Sequence, residues 1–152
     1  MEVFTDLLPV KRGNPGCTVI PISIGMVDFP EALCDFGSSV NIMPRVLYEK
    51  FFTHPLFETA MCLQLADRTL SFPKRILKNL YVPVGTLYVP ADFVLIETDT
   101  DERAPILGKP FLNTTRAIIY ASAAKISFYI EGRKETFFLQ EQDYTNLRAI
   151  PT

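Results

Sequence analysis

The chain has 152 residues, of which 48% are hydrophobic, so it is long enough and apolar enough to bury the core of one globular domain. A net charge of −2 with scattered basic residues argues against direct nucleic acid binding, and no apolar run reaches the ~18 residues that a membrane span needs. Three cysteines without Cys-x-x-Cys spacing and a single histidine argue against a disulfide framework, a zinc site and a His-dependent nucleophile.

The composition along the chain predicts three regions. Residues 1–16 are expected to form a flexible, turn-rich lead-in, residues 17–139 the folded domain, and residues 140–152 a polar tail. Glu2 and Asp6, with no basic region ahead of an apolar one, argue against a signal peptide. Because unpaired cysteines suit a reducing compartment, we expect an intracellular, cytoplasmic protein.

Short strand signals follow one another through the domain, separated by glycine, proline and other turn residues. In the first of them Ile20, Ile22 and Ile24 alternate on one face, and Gly25 ends the strand. The other segments that predict strands are 31–35, 61–66, 69–72, 76–84, 87–96, 105–108, 117–120, 125–130 and 135–139.

Two segments predict short helices among these strands. Residues 44–52 are good helix formers, with Pro44 suited to the first helical position, and residues 109–115 can make one or two turns. Hairpin turns are expected at Asp67-Arg68 and at Gly85-Thr86. Many short strands with little helix predict an all-β sandwich or barrel.

The residues with the clearest chemical potential are Asp35 and the turn that follows it, Phe36-Gly37-Ser38-Ser39. Peptide hydrolysis by carboxylates needs two that share one proton: one acts as a base on water, and the other hydrogen-bonds the carbonyl oxygen. The chain contains one Asp-x-Gly sequence, so it can build such a pair only as a symmetric homodimer in which two copies of Asp35 meet at the two-fold axis.

Simpler interpretations exist for both acidic features of the sequence. The Asp35 carboxylate could cap backbone N–H groups of its own turn. The acidic segment 97–104 does not match a calcium-binding loop, because counting from Asp99 puts Ala104 where glycine is needed and Pro110 where glutamate is needed. We therefore expect a solvated loop there and no bound metal.

Three segments, taken together, resemble a known family. They are 33–44 (Leu-Cys-Asp-Phe-Gly-Ser-Ser-Val-Asn-Ile-Met-Pro), 63–68 (Leu-Gln-Leu-Ala-Asp-Arg) and 106–112 (Ile-Leu-Gly-Lys-Pro-Phe-Leu). In order and spacing they resemble the retropepsin-type aspartic peptidase domain, in particular the one in polyproteins of plant gypsy-type LTR retrotransposons. The resemblance implies an all-β, retropepsin-like acid-protease barrel with one or two short helices and one lobe per chain.

The resemblance also implies roles for individual residues. Asp35 would be the catalytic acid and base, Gly37 would permit the tight turn that exposes it, and Ser38 would hydrogen-bond the outer carboxylate oxygen. Residues at the tip of a flap that closes over the substrate and excludes water would be Ala66, Asp67, Arg68 and Thr69. The hydrophobic-hydrophobic-Gly element that threads beside the active-site turn would be Ile106, Leu107 and Gly108.

Phe36 departs from the family pattern. Active members have Thr or Ser there, whose hydroxyl bonds the partner's backbone across the dimer axis. The Phe36 ring could instead splay the site or pack against its symmetry mate. Two hypotheses therefore stay open: a homodimeric aspartic endopeptidase that cleaves an extended peptide or polyprotein substrate, and a catalytically impaired retropepsin-like module for dimerisation or peptide binding. Neither needs a cofactor, and the first could operate in cytoplasmic virus-like particles.

Overall fold

The computed structural model describes residues 3–4, 17–64, 68, 70–97 and 104–139. This part of the chain is mostly β with two short helices, as the sequence predicts. The strands are β1 (Val3–Phe4), β2 (Cys17–Ile24), β3 (Val27–Asp35), β4 (Ile42–Pro44), β5 (Phe57–Glu58), β6 (Cys62–Gln64), β7 (Leu70–Ser71), β8 (Arg75–Val84), β9 (Leu87–Ile96), β10 (Ile106–Leu107), β11 (Ile118–Tyr120), β12 (Lys125–Ile130) and β13 (Arg133–Phe138). The helices are α1 (Arg45–Phe51) and α2 (Lys109–Thr114).

The largest sheet in the described residues has seven strands in the order β2-β3-β10-β4-β9-β8-β5. Its long hairpins, β2 with β3 and β8 with β9, are antiparallel. The short strand β10 runs parallel to β3 on one side and antiparallel to β4 on the other, and β4 runs parallel to β9. Strand β10 therefore joins the β2–β3 hairpin, which ends in Asp35, to the rest of the sheet.

Two smaller sheets complete the described fold. One has the order β1-β6-β7, and the other has the order β11-β12-β13. Residues 3 and 4, inside the predicted lead-in, thus form a strand that pairs with β6 in parallel. Neither α1 nor α2, the helices of the described ranges, has the length or apolar character that crossing a bilayer would require.

Alternating apolar residues build the core as predicted. Ile20, Ile22 and Ile24 are all buried on one face of β2, and they belong to the main apolar cluster. A second, smaller cluster lies on the other side of the sheet. Successive residues of β10 face the two clusters in turn, because Ile106 belongs to the smaller one and Leu107 to the main one. Strand β10 is thus fixed by packing on both faces.

The structure corrects several predicted boundaries. Strand β3 begins at Val27 rather than at residue 31, because Gly25 and Met26, both with positive φ, make a two-residue turn directly after β2. Pro44 has extended backbone angles (φ −59°, ψ 135°), so it ends β4 and precedes α1 rather than being the first helical residue. Strands β1, β4 and β5 were not predicted.

The strand pairing supports both predicted hairpins. Strands β8 and β9 meet at Gly85-Thr86 as expected, and β6 and β7 are antiparallel as the predicted flap hairpin requires. Of the predicted flap tip, only Arg68 is described, and it is exposed with a φ of 70°. The other three tip residues, the acidic residues 98–103 and the tail from residue 140 lie outside the described residues.

Candidate active site

Asp35 is the last residue of β3, and its side chain is buried with 7% of its surface exposed. The backbone N–H of Gly37 donates to its carboxylate Oδ1 at 2.8 Å, and the N–H of Ser38 donates to its backbone carbonyl at 3.2 Å. A Cβ at position 37 would lie 3.2 Å from the same Oδ1, which is tighter than ordinary van der Waals contact. Glycine therefore lets the turn fold closely over the carboxylate.

The Ser38 hydroxyl has a different partner from the expected one. The side chain is completely buried, and its Oγ donates to the Val40 carbonyl oxygen at 2.6 Å. The hydroxyl proton is therefore used inside the turn rather than on the outer oxygen of the Asp35 carboxylate. Short serine side chains often bond backbone groups two residues away, which explains the choice.

Gly108 lies directly against the turn that follows Asp35. Its backbone at φ −98° and ψ −165° is open to any residue, but a Cβ there would lie 2.8 Å from the Ser38 carbonyl oxygen and nearer still to that of Val40. The N–H of Lys109 donates to the Ser38 carbonyl at 2.8 Å. The second motif and the turn are thus in backbone contact, which only glycine at position 108 permits.

Strand β10 is placed beside Asp35 by its pairing with β3. Ile106 pairs with Leu33 and Leu107 with Cys34, and the N–H of Leu33 donates to the Pro105 carbonyl at 2.9 Å. The structure therefore brings the two sequence motifs together although more than half of the folded domain separates them in sequence.

Asn41 is a site residue that the sequence reasoning missed. It is buried with 3% exposure, its Oδ1 accepts from the N–H of Gly108 at 2.8 Å, and its Nδ2 donates to the Asp92 carbonyl at 3.1 Å. The sequence does contain a signal for this role, because the polar amide of Asn41 stands in an apolar run, between Val40 and Ile42. A buried amide needs hydrogen-bond partners.

Phe36 packs within its own chain. The ring is half-buried and lies against the main apolar cluster of the domain. A threonine or serine at this position would lose that contact. This position of the ring explains how the turn accommodates phenylalanine, which is much larger than the Thr or Ser found there in the family that the sequence resembles.

The base of the candidate flap hairpin is attached to the same region. In the hairpin Leu63 pairs with Ser71 and Gln64 with Leu70. Leu63 is completely buried and belongs to the smaller apolar cluster, which also contains Ile106 of the second motif. The hairpin base and the second motif are therefore parts of one packed unit.

The thiol next to Asp35 is not suited to nucleophilic chemistry. Complete burial raises the pKa of the Cys34 thiol, and the nearby Cys17 and Asp35 raise it further. The reactive thiolate is therefore disfavoured at neutral pH. Across the described ranges no three His, Cys, Asp or Glu side chains are grouped so that they could hold a metal ion.

No family model matches the sequence, and no curated protein matches it. The structure does match solved structures. The retroviral protease-like domain of Ddi1 from Leishmania major gives a TM-score of 0.57 with 17% identity, over 90% of this chain and 97% of that domain. The chain has a retropepsin-like fold. The EIAV protease complexed with the inhibitor HBY-793 gives a TM-score of 0.48 with 11% identity, over 73% of this chain and 99% of that protein.

The retropepsin-like fold confirms the fold class predicted from the sequence, all-β with one or two short helices. Identity of 17% shows the fold alone.

Proposed function

We propose that this chain is one subunit of a homodimeric aspartic endopeptidase whose two Asp35 carboxylates, one from each subunit, hydrolyse peptide bonds. The observation that carries the proposal is the location of Asp35 in a retropepsin-like fold. It ends β3 on a glycine turn whose N–H bonds its carboxylate, and the Gly108 segment packs against that turn. Because the sequence has no second Asp-x-Gly, the second carboxylate has to come from a second copy.

The chemistry follows from two carboxyl groups that share one proton, since like charges in contact cannot both ionise. The ionised carboxylate takes a proton from water while the water oxygen attacks the peptide carbonyl carbon. The protonated carboxyl gives its proton to the carbonyl oxygen, which yields a tetrahedral diol. Proton transfer to the amide nitrogen then lets the C–N bond break, and a carboxylic acid and an amine are released.

The shared proton predicts a bell-shaped dependence of activity on pH. The pair works only while it holds one proton, so activity falls when rising pH removes that proton and when falling pH protonates both groups. We expect the maximum at mildly acidic pH.

The substrate we propose is an extended peptide within a retrotransposon polyprotein of the plant gypsy type. Support comes from the three sequence segments that resemble such domains. An extended peptide would pair as an added strand between the flap hairpin and the floor that carries Asp35, with alternate side chains in apolar pockets. The cytoplasm, including virus-like particles, is the location that we propose for this processing.

A peptide library between about pH 4 and pH 7 tests the proposal with a matched pair of variants. Asp35→Asn should abolish cleavage. Asp28→Asn should cleave like the natural chain, because Asp28 is an exposed acid on the same strand whose carboxylate accepts a hydrogen bond from the Ser23 hydroxyl. Equal turnover by the natural chain and Asp35→Asn, or no turnover by either, would refute the enzyme proposal.

Phe36 supports a second candidate, a retropepsin-like module that dimerises or binds peptides without cleaving them. The residue has no hydroxyl to offer a partner, and its ring packs against its own core. If Phe36→Thr cleaves peptides that the natural chain does not, the second candidate is correct. Hydrogen-bonding contact between the two Asp35 carboxylates in a dimer structure would favour the enzyme, and a gap of several ångströms would favour the module. A monomer in light scattering at micromolar concentration would refute the enzyme and the dimerisation module.

A further inference from the structure

We propose that Asn41 is the positioning residue of the active-site turn. Its side-chain amide joins the end of that turn to Gly108 and to β9, and so fixes the segment on which Asp35 stands. The catalytic consequence rests on the proposed function, whereas the structural link can be tested without any activity.

The Asn41 amide uses both of its polar atoms on different parts of the chain. Its Oδ1 accepts the Gly108 N–H at 2.8 Å, and its Nδ2 donates to the Asp92 carbonyl at 3.1 Å. Its backbone carbonyl accepts the N–H of Val94 at 2.9 Å. A side chain that is donor and acceptor at once is needed for this bridge; aspartate supplies only the acceptor, and alanine supplies neither.

Ser38, inside the turn, is hydrogen-bonded to the same segment that Asn41 contacts, residues 108–109. Lys109, next to Gly108, donates its N–H to the Ser38 carbonyl at 2.8 Å, and the Ser38 N–H donates to the Asp35 carbonyl at 3.2 Å. The Ser38 hydroxyl bonds the Val40 carbonyl at 2.6 Å. Residues 35–41 are thus held at Ser38 and at Asn41, and both attachments help to fix the turn that follows Asp35.

Burial makes the bridge specific. Asn41 is 3% exposed, so water competes little for its amide, and a lost partner would leave a buried N–H or carbonyl without a hydrogen bond. The side chain also borders a cavity of about 420 Å³ that Asp92, Asn79 and Phe111 help to line. Water in this space can reach the N–H and carbonyl groups that a shortened side chain leaves unpaired, so we expect Asn41→Ala to fold.

The experiment compares Asn41→Ala and Asn41→Asp with Asn79→Asp in the full chain. Asn41→Asp keeps an acceptor for Gly108 but no donor for Asp92. Asn79→Asp is the matched control, because Asn79 lines the same cavity and bonds the Asp92 carboxylate through its backbone N–H rather than its side chain. The first readout is hydrogen exchange and chemical shift of two backbone amides. The Gly108 N–H bonds Asn41, and the Gly37 N–H bonds the Asp35 carboxylate.

We expect Asn41→Ala to speed exchange at Gly108 by at least about tenfold and to shift the Gly37 resonance, because both amides report on the same segment. Asn41→Asp should keep Gly108 protected, and the control should change neither amide. Unchanged Gly108 and Gly37 amides in Asn41→Ala, or equal changes in the control, would overturn the proposal.

Activity supplies the second readout. If the natural chain cleaves peptides, Asn41→Ala should lower kcat by about 10- to 100-fold with KM changed by less than about threefold, since misplacing a reacting group mainly affects the chemical step. Asn41→Asp should recover part of the loss. A rise in KM with unchanged kcat would overturn the positioning role. If the natural chain cleaves nothing, the proposed function fails, while the amide readout still decides whether Asn41 positions the turn.

Discussion

Replacing Gly108 by alanine should destabilise the protein through crowding alone. The backbone of Gly108 (φ −98°, ψ −165°) is available to every residue, so alanine meets no conformational barrier. Its Cβ, however, would lie 2.8 Å from the Ser38 carbonyl oxygen and closer to that of Val40. Both neighbours are backbone atoms of the segment that follows Asp35, and they cannot rotate away as a flexible side chain would.

The size of the effect follows from what has to move. Overpacking of this kind destabilises by about 1–3 kcal/mol. Separation of the two segments also stretches the bonds from Gly108 to Asn41 and from Lys109 to Ser38, each worth about 0.5–1.5 kcal/mol. Alanine also lowers the conformational entropy of the unfolded chain, which offsets about 0.4–1 kcal/mol of this loss. The net loss should be about 3 kcal/mol of unfolding free energy.

Urea unfolding of the full chain, followed by circular dichroism, measures this loss. With a slope of about 1–3 kcal/mol per molar urea, the midpoint should fall by about 1–3 M at unchanged slope. Gly132→Ala is the matched control, because Gly132 has open space around its Cβ but a φ of 75°. The control should lose only the ~1–2 kcal/mol of unfolding free energy that an alanine in the left-handed backbone conformation costs. A loss for Gly108→Ala no larger than that of the control would refute the crowding argument.

Three further outcomes are expected. Phe36→Ala should lower the unfolding free energy by about 1–2 kcal/mol, because the Phe36 ring is half-buried against the core. The control Phe138→Ala removes a residue that is 73% exposed, and it should change the unfolding free energy by less than about 0.5 kcal/mol in the same urea assay. Equal losses would contradict the packing of Phe36. Cys34 should react with iodoacetamide only after unfolding, since burial raises the pKa of its thiol, and fast labelling of the native chain would be inconsistent with this. Tyr129→Phe should lower the pKa of Tyr120 in an ultraviolet titration, because the hydrogen bond between the two phenols raises that pKa. The hydrogen bond stabilises the fold below the pKa that Tyr120 has in the unfolded chain, and this stabilisation is lost as pH rises through the pKa of Tyr120 in the folded chain. An unchanged pKa of Tyr120 in the variant would exclude the hydrogen bond.

Local sequence patterns predicted the long strands and the main hairpins. The alternating isoleucines of β2 and the Gly85-Thr86 turn between β8 and β9 carry their signal within a few residues. Strand β4 could not be found in this way. It has three residues, its side chains show no alternation, and it exists because it pairs with β9 and β10, which lie far along the chain.

In the candidate site too, local patterns predict some residues, and the roles of others depend on the folded structure. Asp35 at a strand end with Gly37 after it could be predicted, because an apolar run followed by turn residues is a local pattern. The roles of Ser38 and Asn41 could not. Ser38 selects its partner through the folded shape of the turn, and Asn41 bonds Gly108, which is 67 residues away in sequence. The bond between Asn41 and Gly108 depends on the position of β10 between β3 and β4.

Phe36 bears on stability and on the proposed catalysis through different contacts, and variants at this position can separate the two. Its ring packs against the core of its own chain, so any smaller residue removes apolar contact, whether or not a second copy is bound. Thr and Val have nearly the same shape, but only Thr has a hydroxyl. Phe36→Thr and Phe36→Val should therefore lose similar stability. Cleavage gained by the Thr variant and absent from the Val variant would come from the hydroxyl, whereas equal gains would come from relief of bulk at the turn.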